Sequence, residues 1–139
     1  MAGNLCAAIV IHARAGDVGV VLAAETGFRL FSNPDTVRAA DVAFIRRERI
    51  PDPAPIGYAA MAPDLVVEVL SPDDRPGEVR EKVADWLRAG SELVWVVDPI
   101  KRRARVHRAD GTDTTIGADD ALDGEAVLPG FTCRLSTVL

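Results

Sequence analysis

The stretch Asp64-Leu65-Val66-Val67-Glu68-Val69-Leu70 is a nearly continuous apolar run of strand length with one acid near its centre. A half-wet strand alternates apolar and polar residues, whereas a strand covered on both faces reads as an unbroken apolar run. The run therefore predicts a central strand of a sheet packed on two sides. Period-two alternation puts Asp64, Val66, Glu68 and Leu70 on one of its faces. Glu68 is the anomaly there. A carboxylate buried in such a strand is costly unless it is paired, protonated or bound to a metal ion.

Downstream of this run, Asp73 or Asp74 is placed to cap a helix with Pro76 and Glu78 in its first turn and Gly90 at its end. Val79, Val83, Trp86 and Leu87 fall at i, i+4, i+7 and i+8, which makes one apolar stripe suited to packing on a sheet. Leu93 to Val97 is a second apolar strand. The unit is strand, helix, strand, and such a crossover joins parallel neighbours. Residues 102 to 109 and 112 to 116 then read as a hairpin turning at Asp110-Gly111, a pair that tolerates positive φ. An acidic stretch follows (Asp119, Asp120, Asp123, Glu125), and Leu128-Pro-Gly-Phe131 leads to the apolar end of the chain.

Upstream, Leu5, Ala8, Ile9 and His12 recur at helical spacing, which predicts a first helix to about Ala15 ended by Gly16. Val18 to Ala24, Gly27 to Phe31 and Asp41 to Ile45 are short β-rich runs separated by turn residues, and predict an antiparallel meander. Residues 50 to 63 hold Pro51, Pro53, Pro55 and Pro63 with Gly57, and suit neither a central strand nor a helix. The expected architecture is α/β: a central mixed β-sheet flanked by an N-terminal helix and a crossover helix.

A chain of 139 residues with 48% hydrophobic composition suits one compact domain. No apolar run approaches the ~18 residues of a bilayer span, and the Met1 end lacks the pattern of a signal peptide, so a cytoplasmic protein with no membrane partner is expected. Cys6 and Cys133 stand far apart without CxxC spacing, which supports neither a zinc site nor a disulfide framework. The net charge of −5 excludes coating of nucleic acid by overall electrostatics, so any DNA contact must be local. Of 16 cationic residues only Lys82 and Lys101 are lysines. Where arginine is the rule, a lysine hints at chemistry.

Asp41 opens the apolar run Val42 to Ile45, and two carboxylates on adjoining strands can share one divalent cation with water completing its shell. Lys82 flanks the apolar stripe one turn before Trp86, from where its ammonium could reach back over the Glu68 strand. Mg²⁺ or Mn²⁺ on Asp41 and Glu68 would polarise a scissile phosphate and activate water, with Lys82 orienting that water or stabilising charge. The bland alternatives are an ordinary strand-end acid at Asp41 and a snorkelling lysine at Lys82.

The ordered set Val37-Arg-Ala-Ala-Asp-Val-Ala-Phe44, Pro63-Asp-Leu-Val-Val-Glu-Val-Leu-Ser-Pro72, Arg80-Glu-Lys82 with Trp86 and Gly90, Val94-Trp-Val-Val-Asp-Pro99 and Leu122-Asp-Gly-Glu-Ala-Val-Leu-Pro-Gly-Phe131 resembles the Uma family of restriction-endonuclease-like proteins. The resemblance covers nearly the whole chain. It implies a PD-(D/E)XK nuclease fold, with Asp41 matching the first acid and Glu68 the second. The lysine of the usual E-x-K would fall at Leu70, which cannot serve; Lys82 on the next helix would replace it. Full-length relatives usually carry an N-terminal segment with an acidic residue before the first helix, whereas this sequence starts almost at that helix. The expectation is thus one nuclease-like domain over residues 1–139 without that segment, and with one candidate metal ligand fewer.

Other candidates carry less weight. Arg46, Arg47 and Arg49 follow the Asp41 strand, while Lys101, Arg103, Arg105 and His107 alternate against Ala104 and Val106; Arg46, Arg47, Arg103 and Arg105 are candidate phosphate contacts. Alternation by itself shows only a solvated face. His12 and His107 have no partner at ligand spacing and read as structural. The functional expectation is a Mg²⁺- or Mn²⁺-dependent DNA endonuclease using Asp41, Glu68 and Lys82. The rival is a catalytically inactive binding or assembly module on the same fold, and hydrolysis of a small phosphorylated molecule is a third reading. Cutting both strands of a duplex needs two sites, which would suit a homodimer.

Overall fold

The computed structural model describes residues 1–23, 26–32, 35–50 and 61–139. Most of the proline-rich stretch expected to form a loop, residues 51–60, lies outside them, as do Ala24, Glu25, Asn33 and Pro34 of the predicted turns.

A six-stranded mixed sheet forms the middle layer, in the order β1-β4-β5-β6-β7-β8. Its strands are β1 (Gly19–Ala23), β4 (Val42–Arg46), β5 (Leu65–Val69), β6 (Leu93–Asp98), β7 (Arg103–Arg108) and β8 (Asp113–Gly117). β5 and β6 run parallel, with Glu68 beside Val96, and every other neighbour is antiparallel. Helix α2 (Pro76–Ala89) is the crossover between the parallel pair. Gly90 closes it at φ 115°, the left-handed conformation that glycine adopts without steric penalty.

Around β4, β5 and β6 the sheet is covered on both faces, as the apolar run of β5 requires. Leu65 and Val67 face helix α1 (Ala2–Gly16), which contributes Leu5, Ile9 and Ala13, and the C-terminal segment, which contributes Leu122, Leu128, Phe131 and Leu135. Val66 faces the other way, toward Val83 and Trp86 of α2 and Phe28 of β2 (Gly27–Phe31). His12 has the structural place expected of it: its Nε2 donates to the Pro129 carbonyl at 2.9 Å, and its ring meets Phe131 edge-on.

Three expectations need correction. The segments before β5 are not a meander: β1 pairs directly with β4, while β2 and β3 (Thr36–Ala39) form a separate hairpin. That hairpin is drawn onto α2 by the Arg38–Asp85 ion pair at 2.8 Å and by Phe28 packed edge-on against Trp86. Strand β3 escapes a reading by pattern because its alternation of half-buried and exposed residues spans only four positions. Neither Asp73 nor Asp74 caps α2. Its N-cap is Arg75, with no side-chain capping bond, and Asp74 instead accepts the Ser71 N–H at 2.7 Å, closing the turn after β5. The acidic stretch near the end also holds a small hairpin, β9 (Ala121–Asp123) with β10 (Thr132–Arg134).

Gly19 lies where β1 crosses β4, and a Cβ there would stand 2.1 Å from the Ile45 carbonyl oxygen and 2.7 Å from the Phe44 ring. Gly19→Ala should therefore destabilise the fold by about 1–3 kcal/mol, the usual cost of overpacking. Urea denaturation checks this, and an unchanged midpoint would mean that β1 does not press on β4 as described.

Candidate active site

Glu68 is 8% exposed although it is charged, and its surroundings are set by the two elements that follow one another in the chain. β5 presents it on the α2 face, in alternation with Val66. α2 places Lys82 and Trp86 four residues apart, hence on one side of the helix, above that acid. The Trp86 indole N–H donates to Glu68 Oε1 at 3.1 Å, and the Lys82 ammonium lies 3.9 Å from Oε2. Lys82 keeps 39% of its side chain exposed, so it bridges solvent and the buried acid.

Asp41 completes the cluster from the neighbouring strand. β4 and β5 are in register from Val42 opposite Val67, which puts Asp41 one position further along, beside Glu68. Ala43 and Ile45 of β4 face α2, and alternation assigns Asp41 to that same face. Its Oδ2 accepts the Val69 N–H at 2.7 Å, which fixes the carboxylate against β5. A small cleft of about 80 Å³ adjoins Glu68, lined by Glu68, Leu70, Asp74, Glu78 and Lys82 among others, with Asp41 outside its lining. Leu70 stands where the lysine of an E-x-K motif would be, half-buried in that cleft.

Burial raises the Glu68 carboxyl above its ordinary value; the Lys82 charge and the Trp86 hydrogen bond oppose the rise, and the nearby charges of Asp41 and Asp74 add to it. Loss of hydration is thus the largest influence, and the ammonium and the indole offset it in part.

The donor set fits a hard divalent cation at its minimum. Asp41 and Glu68 each use one carboxylate oxygen in a hydrogen bond to an N–H and each retain another. Mg²⁺ commonly binds through one or two carboxylates, with water and substrate phosphate completing the octahedron. Among the described residues no group of three or more His, Cys, Asp or Glu side chains assembles for a metal, so the pair stands without a third protein ligand there.

The remaining candidates divide by location. Arg46 and Arg47 lie at the opposite end of the sheet: Arg46 pairs with Glu92 at 2.8 Å and Arg47 with Asp17, while Arg49 pairs with the buried Asp64. Arg103 and Arg105 are exposed on β7, on the α2 side of the sheet and hence on the same face as Glu68, with Ala104 and Val106 turned into the core. Reading the sequence missed the Trp86 hydrogen bond to Glu68. The i, i+4 spacing from Lys82 was the available signal.

The structure is thus a mixed α/β fold with a buried acid on a central strand and a lysine on the crossover helix set over it. The sequence profile of the Uma2 family, described as "Putative restriction endonuclease", matches residues 1–136, and the chain belongs to that family. The fold is also that of a crystal structure from Anabaena variabilis described as a "putative nuclease", with a TM-score of 0.86 at 18% identity, covering 99% of this chain and 76% of that one. No curated protein matches.

Because the folded state holds the Glu68 carboxyl above its unfolded value, the protonated form is favoured on folding. Its contribution to stability is full below the ordinary carboxyl range and declines as pH rises through the folded value. Glu68→Gln should therefore gain stability relative to wild type as pH increases from 4 to 7 in metal-free buffer, by about 1.4 kcal/mol for each unit of pKa rise removed. Paired thermal melts test this, and a stability difference independent of pH would contradict it.

Proposed function

We propose that the protein is a metal-dependent nuclease that hydrolyses DNA phosphodiester bonds at the Asp41, Glu68 and Lys82 corner. The observation that carries the reading is the buried Glu68 held between Lys82 and Trp86, beside Asp41 on the adjoining strand. An acid kept there at an energetic cost, with a cation poised over it, is what an active site needs and a structural core does not.

The chain's own residues divide the work. Asp41 and Glu68 would hold Mg²⁺ or Mn²⁺ through the carboxylate oxygens not taken by the Val69 and Trp86 N–H groups, Oε2 of Glu68 being also the oxygen nearest the Lys82 ammonium. When bound, such a cation polarises the phosphate and lowers the pKa of water in its shell. Trp86 fixes which Glu68 oxygen faces the cleft. Lys82 replaces the lysine that Leu70 cannot provide, orienting the attacking water or neutralising charge that develops on the phosphate. Membership of the restriction-endonuclease-like family supports DNA as the substrate. Among the described residues no helix is long and apolar enough to cross a membrane, and we assign the protein to the cytoplasm, as a homodimer when both strands of a duplex are cut.

The lack of a third ligand among the described residues favours a second reading, a nuclease fold kept as a binding or assembly module without catalysis. Two measurements separate the readings. Calorimetric titration with Mn²⁺ should give a saturable site in wild type that Glu68→Ala abolishes. Lys82→Met should keep folding and metal affinity nearly intact while lowering metal-dependent DNA cleavage by roughly 10²- to 10⁴-fold, as expected for lost acid-base help. Metal binding with no cleavage by wild type would favour the module.

A further inference from the structure

Four large apolar side chains are exposed among the described residues: Ile11, Val20, Val37 and, most of all, Ile100 at 72%. A single exposed aliphatic side chain is ordinary on a protein surface, so its surroundings decide what it means. Ile11 on α1 and Val20 on β1 have no lysine or arginine beside them in the chain. Val37 is followed by Arg38, which is committed to Asp85 at 2.8 Å. Ile100 is followed by Lys101, Arg102 and Arg103, all exposed and none in an ion pair among the described residues. In a chain of net charge −5, three consecutive free cations form a local exception to the overall field.

These residues form the turn between β6 and β7, and the turn is held by its own sequence. Asp98 Oδ1 accepts the Ile100 and Lys101 N–H groups at 3.1 and 3.0 Å, and Arg102 closes the turn at φ 51°. Its place follows from the sheet. Because β5 and β6 are parallel and Glu68 stands beside Val96, the β6–β7 turn lies at the end of the sheet that carries Glu68. At ~4.8 Å between strands and ~3.3 Å per residue, Ile100 is at most about 18 Å from Glu68. Ile100, Lys101 and Arg103 also line an open groove that shares Leu70, Asp74 and Val79 with the cleft beside Glu68 and Lys82.

We infer that Ile100 is a wedge, which the β6–β7 turn inserts from the minor groove between two stacked base pairs of a DNA duplex while Lys101, Arg102 and Arg103 hold the neighbouring phosphates. Apolar wedges of this kind, isoleucine among them, partly unstack a base step and kink the duplex. Unstacking costs free energy, and the phosphate contacts that the kink brings within reach offset it. That is why the cations belong beside the aliphatic tip. Steps that unstack readily, pyrimidine–purine steps such as TA, are favoured, which gives sequence preference without a contact to a base edge. A lipid surface fits less well, since insertion there uses a broad apolar face rather than one isoleucine. With base pairs ~3.4 Å apart, the span from Ile100 to Glu68 places the cut bond within about five base pairs of the wedged step. The inference rests on the phosphodiesterase reading of the Glu68 corner and adds how the duplex is held and which steps it prefers.

The test uses the full chain in EDTA and a short duplex with one TA step, its adenine replaced by 2-aminopurine, whose fluorescence rises on unstacking. Binding of wild type should raise that fluorescence about twofold or more, and less when the probe sits away from the step. Ile100→Ala, checked for folding by circular dichroism, should abolish the rise and weaken binding, read by anisotropy, about tenfold or more, the loss expected for one buried isoleucine. Its log-log salt slope should stay that of wild type, because the phosphate contacts remain. Lys101→Ala with Arg102→Ala should instead flatten the slope by about 0.9 for each phosphate no longer neutralised. No duplex binding by wild type, no fluorescence rise, or an Ile100→Ala variant that behaves as wild type would overturn the proposal. So would binding to phosphatidylserine-containing vesicles that Ile100→Ala removes while duplex binding persists. Separate cleavage assays with Mn²⁺ keep the two claims apart. Unstacking that depends on Ile100 without cleavage by wild type leaves the wedge and removes the hydrolysis; cleavage with Ile100-independent binding does the reverse.

Discussion

The burial of Glu68 is the constraint from which the rest of this molecule follows. A carboxylate in the second layer of a sheet loses hydration worth several kcal/mol, by the order of magnitude for buried charge, and must recover it from partners. Here the partners come from one helix, as an indole N–H at 3.1 Å and an ammonium at 3.9 Å. Both are supplied only when α2 returns over β5, so the parallel β5-α2-β6 unit and the site are one construction. The β2-β3 hairpin adds a further layer, packing Phe28 onto Trp86 and tying Arg38 to Asp85, which holds the face of α2 that carries the Glu68 partners.

The same crossover divides the sheet chemically. Under α2 the β6 positions facing the helix are Val94 and Val96; beyond its edge the corresponding β7 positions are Arg105 and His107. On the opposite face β7 remains apolar, through Ala104 and Val106 under the C-terminal segment. One strand therefore has a core face and a charged face, and the charged face adjoins the acid. Burial lowers the His107 imidazole, which leaves the arginines as the charge of that strand on this side.

Much of this was legible in the sequence because it rests on periodicity. The unbroken apolar run marked β5 as central, the stripe of Val79, Val83 and Trp86 fixed the face of α2, and the alternation from Arg103 to His107 gave the two-faced β7. The pairing of β1 with β4 was not legible: which strands meet across an intervening hairpin depends on tertiary packing that period-two patterns do not encode. The turn at Ser71 likewise took Asp74 for itself, so a residue type suited to capping α2 served the preceding loop. In the site, residue types and order pointed to Asp41, Glu68 and Lys82, whereas the Trp86 hydrogen bond depended on which way an indole turns within a packed stripe. The arginines after β4 show the opposite limit, since a basic cluster in sequence proved to be Arg46 and Arg47 in ion pairs at the far end of the sheet from Glu68.

Whether Asp41 and Glu68 act together on one cation decides between a metal-dependent site and a silent one. Anomalous diffraction from crystals grown with Mn²⁺ addresses that directly. The expected result is a single strong peak within about 2.0–2.3 Å of one oxygen of each carboxylate, the range for a hard divalent ion, with Trp86 still on Oε1 and Lys82 still over the cleft. No peak at that corner at saturating Mn²⁺, or a peak held by other residues alone, would contradict it.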